Sequence, residues 1–206
     1  MLKRAFDLMA AAAGLVLLAP LLAVVAAAVR RSSPGPVLFR QERVGRGGRT
    51  FMLLKFRTMR VAAEAEQGRF EAGGSPRVTP LGRLLRRTKL DELPQLWNVL
   101  KGDVSLVGPR PEVRQWVAVY PERWARVLTV RPGITDPASI LYRDEEELLA
   151  RWPNPEGAYR DTVLPHKLAL YEEYVRTRCF RNDLRILFRT LWVVARGSAP
   201  ANGRTS

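Results

Sequence analysis

Residues 89–112 read KLDELPQLWNVLKGDVSLVGPRPE and place two adjacent carboxylates, Asp91 and Glu92, among helix and turn signals. Arginines lie on both sides, at Arg86 and Arg110. Guanidinium groups bind phosphate oxygens in a bidentate manner, and carboxylates hold divalent cations. The stretch therefore indicates a site that handles phosphate groups, although an acidic pair also favours the N-terminus of a helix.

Further motifs occur in one order along nearly the whole chain. The chain opens with KRAFD at residues 3–7 and continues with GPVLFRQ at 35–41, KFRTM at 55–59 and RPGIT at 131–135. Together with residues 89–112, these segments resemble the bacterial sugar transferase family. Its members are monotopic polyprenyl-phosphate phosphoglycosyltransferases, which begin the assembly of bacterial glycans. Several long motifs in one order carry far more weight than a lone Asp-Glu pair.

The composition indicates one compact domain with a strongly basic N-terminal part. A chain of 206 residues can bury one sizeable core. The net charge is +14, and residues 1–60 hold eleven Lys and Arg residues against Asp7 and Glu42. Such a cluster favours anionic lipids or substrates, and nucleic acid is not expected as a partner because no nucleic-acid-binding signature accompanies it. The single Cys179 excludes a zinc site built from cysteines, and the surroundings of the single His166 do not suggest a catalytic triad.

The apolar run Leu8–Val29 is long enough to cross a bilayer as one straight helix. Pro20 interrupts the run, and basic pairs flank it at residues 3–4 and 30–31. Because both flanks favour the cytoplasm, a helix that bends at Ala19–Pro20 and returns fits the positive-inside rule better than a straight span. A cleavable signal peptide is disfavoured because the run leads into two arginines. We expect a re-entrant membrane helix over residues 1–31, as the resemblance also implies.

The rest of the chain predicts a mostly helical α+β fold. Residues 37–41 and 50–56 have strand character and flank GRGG at 45–48, which predicts a small β-hairpin. The glycine loop lacks the Gly-Lys-Ser/Thr ending of a P-loop. Helical stretches follow, so we expect a helical catalytic domain over residues 32–196 at the membrane interface and a disordered tail over 197–206.

The resemblance implies roles for individual residues. Asp91 would be the nucleophile and a ligand of Mg²⁺, with Mn²⁺ as the alternative ion, and Glu92 would support the metal, the geometry or proton movement. Four arginines would contact the phosphates or the nucleotide of the donor, namely Arg86, Arg110, Arg131 and Arg143. The segment DPASILY at 136–142 departs from the GWAQVNG that is common in the family. Donor choice is therefore not carried over from the commoner members.

By the same resemblance, a UDP-sugar would react with Asp91 to give a phosphosugar-aspartyl enzyme and UMP, and polyprenyl (undecaprenyl) phosphate would then accept the sugar phosphate. This would be the first membrane step of exopolysaccharide, O-antigen or glycoconjugate assembly, on the cytoplasmic face of the bacterial inner membrane. Two alternatives stay open. One is a membrane-associated glycosyltransferase that moves the sugar alone and releases UDP, and the other is a noncatalytic basic protein that binds membranes. A homodimer is compatible with the sequence.

Overall fold

The computed structural model describes residues 2–61 and 77–196, which form a mostly helical α+β fold as predicted. The tail expected at 197–206 lies outside the described residues. The elements are, in chain order, α1 (Leu2–Leu17), α2 (Ala19–Ser32), β1 (Leu38–Val44), β2 (Thr50–Phe56), α3 (Pro80–Thr88), α4 (Gln95–Lys101), β3 (Ser105–Val107), α5 (Arg114–Val119), α6 (Pro121–Val127), β4 (Gly133–Thr135), α7 (Pro137–Leu141), α8 (Glu145–Leu149), α9 (Pro155–Ala158), α10 (Leu164–Thr177) and α11 (Phe180–Arg196).

Helices α1 and α2 form a bent pair whose axes differ by 64°. Leu18 separates them, and Pro20 lies in the first turn of α2, where it has no N–H with which to continue the hydrogen-bond ladder of α1. The bend thus lies immediately before the Ala19–Pro20 pair. Within the described ranges, no single helix is long and apolar enough to cross a membrane, whereas the two together reach the length and composition that a crossing requires.

Basic residues at the start of α1 bind the rest of the protein. Lys3 Nζ pairs with Asp183 Oδ2 of α11 at 2.6 Å. Arg4 Nη1 donates to the backbone oxygen of Val99 in α4 at 2.8 Å. These two residues of the N-terminal basic cluster use their donors within the protein and hold α1 against α4 and α11.

The hairpin predicted from the sequence is confirmed. Strands β1 and β2 pair antiparallel, with Leu38 opposite Phe56 and Val44 opposite Thr50. The turn contains Gly47 at φ +68°, a left-handed conformation that glycine adopts without steric cost. Strand β1 continues three residues beyond the predicted end, and β2 brings Lys55 to the cavity described below.

The bent helix pair shares its hydrophobic packing with the rest of the chain. Ala11 of α1 packs in one buried cluster with Val99 of α4. Val29 of α2 packs in another with Phe56 of β2 and Leu85 of α3. Burial of a large aliphatic or aromatic side chain stabilises a fold by about 1.5–3 kcal/mol. The position of α1 and α2 relative to α3 and α4 is therefore fixed by packing as well as by hydrogen bonds.

Candidate active site

Asp91 and Glu92 lie on a short 3₁₀ turn, Leu90–Glu92, between α3 and α4. Among the described residues, Lys89 is the only non-glycine residue with positive φ, at 58°. Its N–H donates to Arg86 O at 3.2 Å and closes α3, so the chain turns sharply just before the two carboxylates. Both carboxylates line an open cavity of about 2170 Å³. Small-molecule sites usually measure about 300–1,000 Å³, so this cavity has room for more than one substrate.

Glu92 is held between two cations. Lys55 Nζ of β2 donates to Glu92 Oε1 at 2.9 Å, and Arg110 donates to both oxygens of the same carboxylate, with Nη1 3.2 Å from Oε2. Burial alone would raise the pKa of Glu92, but Arg110 and Lys55 outweigh it and hold the pKa well below its usual range. Glu92 is therefore ionised and spatially fixed.

Asp91 has the opposite electrostatic environment, although it is the next residue in the chain. Its side chain is only 6% exposed, and burial raises the pKa of its carboxyl against the opposing attraction of Lys55. The neighbouring negative charge of Glu92 raises it further. Oδ1 of Asp91 is buried and has no hydrogen-bond partner in the described part of the chain. A carboxylate that is weakly stabilised in this way retains its reactivity as a nucleophile or ligand.

Whether a divalent cation fits this site depends on the carboxylate oxygens of Asp91 and Glu92. Within residues 2–61 and 77–196, no three His, Cys, Asp or Glu side chains gather closely enough to make a metal site from protein alone. Mg²⁺ commonly keeps several waters and binds through one or two carboxylates together with substrate phosphates. Asp91 fits that arrangement through its unpartnered oxygen, whereas Glu92 already accepts hydrogen bonds on both oxygens.

Arg86 lies on the cavity wall because α3 approaches the end of β2 unusually closely. A Cβ atom at Gly82 would lie 1.9 Å from Thr58 O, so the approach requires glycine. One turn later, Arg86 Nε donates to Thr58 Oγ1 at 2.9 Å, and Nη1 pairs with Glu146 Oε2 at 2.7 Å. A phosphate bound by Arg86 would take the place of the Glu146 carboxylate.

The other two predicted arginines differ in position. Arg143 lines the cavity and donates to the backbone oxygens of Arg87, at 3.2 Å, and of Val193. Arg131 is not among the residues that line the cavity in the described part of the chain. Its Nε donates to Gly102 O at 3.0 Å. The structure thus brings Arg86, Arg110 and Arg143 to one cavity with Asp91 and leaves Arg131 outside it, because the motif that contains Arg131 supports β4 beside β3.

The sequence did not identify every charged residue at this cavity. Lys55 lies in the KFRTM segment at 55–59, which by itself gives no sign of the contact with Glu92. Lys167 is only 4% exposed and also lines the cavity. It shares one face of α10 with Leu164, Leu168 and Tyr171, so a charged residue inside an otherwise apolar helical pattern was the available signal.

Comparisons with known proteins agree with these motifs. The profile of the family described as bacterial sugar transferase matches residues 1–197. The chain is 39% identical over 193 residues to the UDP-glucose:undecaprenyl-phosphate glucose-1-phosphate transferase of Caulobacter vibrioides, which covers 92% of this chain and 68% of that protein.

Two further relatives extend the comparison. The UDP-N-acetylgalactosamine-undecaprenyl-phosphate N-acetylgalactosaminephosphotransferase of Aeromonas hydrophila is 42% identical over 144 residues, which cover 68% of this chain and 34% of that protein. The exopolysaccharide production protein ExoY of Rhizobium meliloti is 34% identical over 215 residues, which cover 96% and 88%. The matched regions span about a third to two thirds of several such relatives. This chain belongs to the bacterial sugar transferase family.

Proposed function

We propose that this protein transfers a sugar 1-phosphate from a UDP-sugar to polyprenyl phosphate, through a covalent intermediate on Asp91. The observation that carries the proposal is the contrast between the two adjacent carboxylates. Glu92 is fixed by Lys55 and Arg110, while Asp91 is buried at the wall of a large cavity, with one oxygen that has no partner among the described residues. The names of the relatives supply the substrate classes, a UDP-sugar and undecaprenyl phosphate.

The first step forms a bond between a carboxylate oxygen of Asp91 and the β-phosphorus of the donor. The bond from that phosphorus to the oxygen it shares with the α-phosphate breaks, and UMP leaves with the electron pair. Asp91 loses its negative charge in the acyl phosphate, and UMP gains one, so no proton is needed if Asp91 starts ionised. Carboxylates serve as covalent nucleophiles of this kind in other phosphoryl-transfer enzymes.

The second step regenerates the enzyme. A phosphate oxygen of the polyprenyl phosphate attacks the same phosphorus, the Asp91–phosphorus bond breaks, and a polyprenyl diphosphate sugar leaves. Arg110 and Arg86 line the cavity and provide positive charge for the phosphate oxygens in both steps. When bound at Asp91, Mg²⁺ (or Mn²⁺) would reduce the repulsion between the carboxylate and the anionic diphosphate.

The membrane supplies the acceptor in this proposal. The α1–α2 pair enters the bilayer as a re-entrant helix with both ends on the cytoplasmic side of the inner membrane. Its bend carries largely uncovered apolar side chains, with Val16 75% and Leu17 78% exposed, which suits lipid. Leu191 of α11 is 59% exposed and also lines the cavity, so it is suited to contact the lipid chain of the acceptor. The product would enter exopolysaccharide, O-antigen or glycoconjugate assembly.

The decisive experiment is intact-protein mass spectrometry of the full chain in detergent, incubated with Mg²⁺ and a panel of UDP-sugars without acceptor. We expect a mass gain of one sugar phosphate with matching UMP release. Asp91→Asn should form no adduct. Asp103→Asn is the matched control, because Asp103 lies in the same motif, pairs with Lys101 at 3.7 Å and is not among the described residues that line the cavity. Release of UDP upon addition of polyprenyl phosphate, with no adduct, would instead identify a glycosyltransferase that moves the sugar alone.

A further inference from the structure

Strand β1 presents two side chains to the cavity that the phosphate chemistry above does not use. Phe39 and Gln41 both line the cavity, and they lie on the same face of β1 because side chains alternate along a strand. Phe39 pairs directly with Lys55 of β2, so this is the face from which Lys55 reaches Glu92. The two side chains thus lie beside the candidate active site, on a regular strand.

Arg43 fixes the orientation of the Gln41 side-chain amide. Its Nε and Nη2 lie 3.1 Å and 2.7 Å from Gln41 Oε1. A guanidinium group only donates hydrogen bonds, so the amide oxygen, and not the amide nitrogen, must face Arg43. Gln41 Nε2 therefore keeps two N–H groups that have no hydrogen-bond partner in the described part of the chain. Gln41 is half-buried, so a ligand in the cavity can reach it.

A buried ionic network holds Arg43 in turn. Arg43 Nη1 donates to Glu112 Oε2 at 3.0 Å. Glu112 Oε1 accepts from the Tyr159 hydroxyl and lies 4.0 Å from Lys167 Nζ. Glu112 and Lys167 are only 7% and 4% exposed. These inner groups are bonded to one another, so the donors that the network leaves for a ligand are those of Gln41 Nε2.

Such a network is better explained by positioning than by stability. Buried ion pairs are often no more stabilising than apolar residues of similar volume. Here the pairs fix Arg43, and Arg43 fixes one polar group at the cavity wall. A side chain that is already ordered loses little conformational entropy when a ligand binds, which favours tight and selective binding.

The chemistry of the two side chains indicates the part of a nucleotide that they suit. A neutral group that only donates matches a neutral carbonyl oxygen, whereas Arg86 and Arg110 are available for the charged phosphates. Uracil has such an acceptor at O4, and cytosine has an amino donor at the same position. Phe39 is 47% exposed, and an open aromatic ring is suited to stacking on a base.

We propose that Gln41 donates a hydrogen bond to O4 of the uracil base of the donor while Phe39 stacks on that base, so that this pair selects uridine over cytidine nucleotides. The inference rests on the proposed function. It adds the residues that recognise the base, and it gives the buried network of Arg43, Glu112 and Lys167 a role in holding Gln41.

The test measures equilibrium binding of UMP and of CMP to the full chain in detergent by titration calorimetry. Gln41→Glu keeps one oxygen for Arg43 and turns a second oxygen, in place of the NH₂ group, toward the cavity. The added negative charge weakens both nucleotides alike, so the ratio of their Kd values isolates recognition of the base. Glu42→Gln is the matched control, because Glu42 is exposed on the opposite face of β1 and is not among the described residues that line the cavity.

We expect wild-type protein to bind UMP at least about tenfold more tightly than CMP, since CMP would leave two donors facing each other. Gln41→Glu should lower the ratio of Kd for CMP to Kd for UMP at least about tenfold. Glu42→Gln should keep the ratio within about twofold. A general loss of structure would weaken both nucleotides and leave the ratio unchanged.

Phe39 is tested by removal and by rescue of the aromatic ring. Phe39→Ala should weaken both nucleotides at least about fivefold without changing their ratio. Phe39→Tyr keeps the ring and should restore binding of both. Wild-type binding by Phe39→Ala would show that the base does not stack on Phe39.

The outcomes separate this inference from the function on which it rests. If wild-type protein forms neither an adduct nor UMP with any UDP-sugar, the proposed function is wrong and the inference falls with it. If the protein forms the adduct but binds UMP and CMP equally, or if Gln41→Glu keeps the wild-type ratio, only the inference is wrong. The second result would place Gln41 at a group that both nucleotides share, such as the ribose.

Discussion

Lys55→Met removes one of the two cations that hold Glu92 while nearly preserving the volume of the side chain. Lys55 Nζ lies 2.9 Å from Glu92 Oε1, and the two side chains are 21% and 11% exposed. A hydrogen bond to a charged group contributes about 1.5–3 kcal/mol. The loss should stay below the roughly 3–5 kcal/mol that follows when a buried charge loses all its partners, because Arg110 still pairs with Glu92.

This loss of folding free energy corresponds to a measurable fall in the melting temperature, Tm. For a chain of this size, each kcal/mol changes Tm by about 2–4 °C, so we expect Lys55→Met to melt about 3–12 °C below wild type. The assay is thermal unfolding of the full chain in the same detergent. Lys101→Met is the control, since Lys101 is 55% exposed and lies 3.7 Å from Asp103, a surface pair of little expected energy.

The same variant should alter the pH dependence of adduct formation. In the proposed mechanism Asp91 must be ionised to act as the nucleophile, so adduct formation is expected above the pKa of Asp91 and lost as the pH falls through it. Burial raises that pKa, and Lys55 is the strongest opposing influence. Removal of Lys55 should therefore move the acid limb of the rate profile to higher pH. An unchanged profile and an unchanged Tm, or an acid limb moved to lower pH, would refute the electrostatic account of the site.

Three further outcomes follow from the structure. Asp91→Asn should abolish the adduct and raise Tm. The rise in Tm should be larger at neutral than at acidic pH, because the buried carboxylate of Asp91 is charged, and therefore destabilising, only at the higher pH. A lower Tm at neutral pH would contradict this. Gly82→Ala should destabilise the fold by about 1–3 kcal/mol in denaturant unfolding, since the new Cβ would meet Thr58 O at 1.9 Å. A variant as stable as wild type would show instead that α3 can move away from Thr58. Arg110→Lys should lower kcat/KM for UMP release at least about tenfold, whereas Arg131→Lys should change it less than about twofold because Arg131 does not line the cavity.

Local patterns predicted the parts of this fold that depend on neighbouring residues. The hairpin follows from two β-rich runs around glycines, and Pro20 marks the bend because a missing N–H interrupts the helix within one turn. The turn that contains Asp91 and Glu92 was expected in a segment dense with helix and turn signals. These features require no knowledge of distant parts of the chain.

Long-range contacts determine the site residues that local sequence patterns did not identify. Lys55 meets Glu92 across 37 positions, and Lys167 meets Glu145 across 22, so neither pair has a local signature. Arg131 has the same residue type as Arg86 and Arg110, but tertiary packing directs it to Gly102 instead of the cavity. Residue type and motif order therefore identified candidates, while only the fold distinguished those that share a cavity from the one that does not.

The two carboxylates of the central motif illustrate how a fold assigns different chemistry to adjacent residues. Glu92 accepts hydrogen bonds from Lys55 and Arg110 on both oxygens, and these two cations lower its pKa. It is therefore a poor base and a poor metal ligand. Within the described residues Asp91 receives no such hydrogen bonds at Oδ1, and burial and the fixed negative charge of Glu92 raise its pKa. Groups whose environments move their pKa values apart take separate roles in catalysis. In the proposed mechanism, Glu92 therefore positions the two cations beside the reacting phosphate, and Asp91, the less stabilised anion, gains most from bonding to phosphorus.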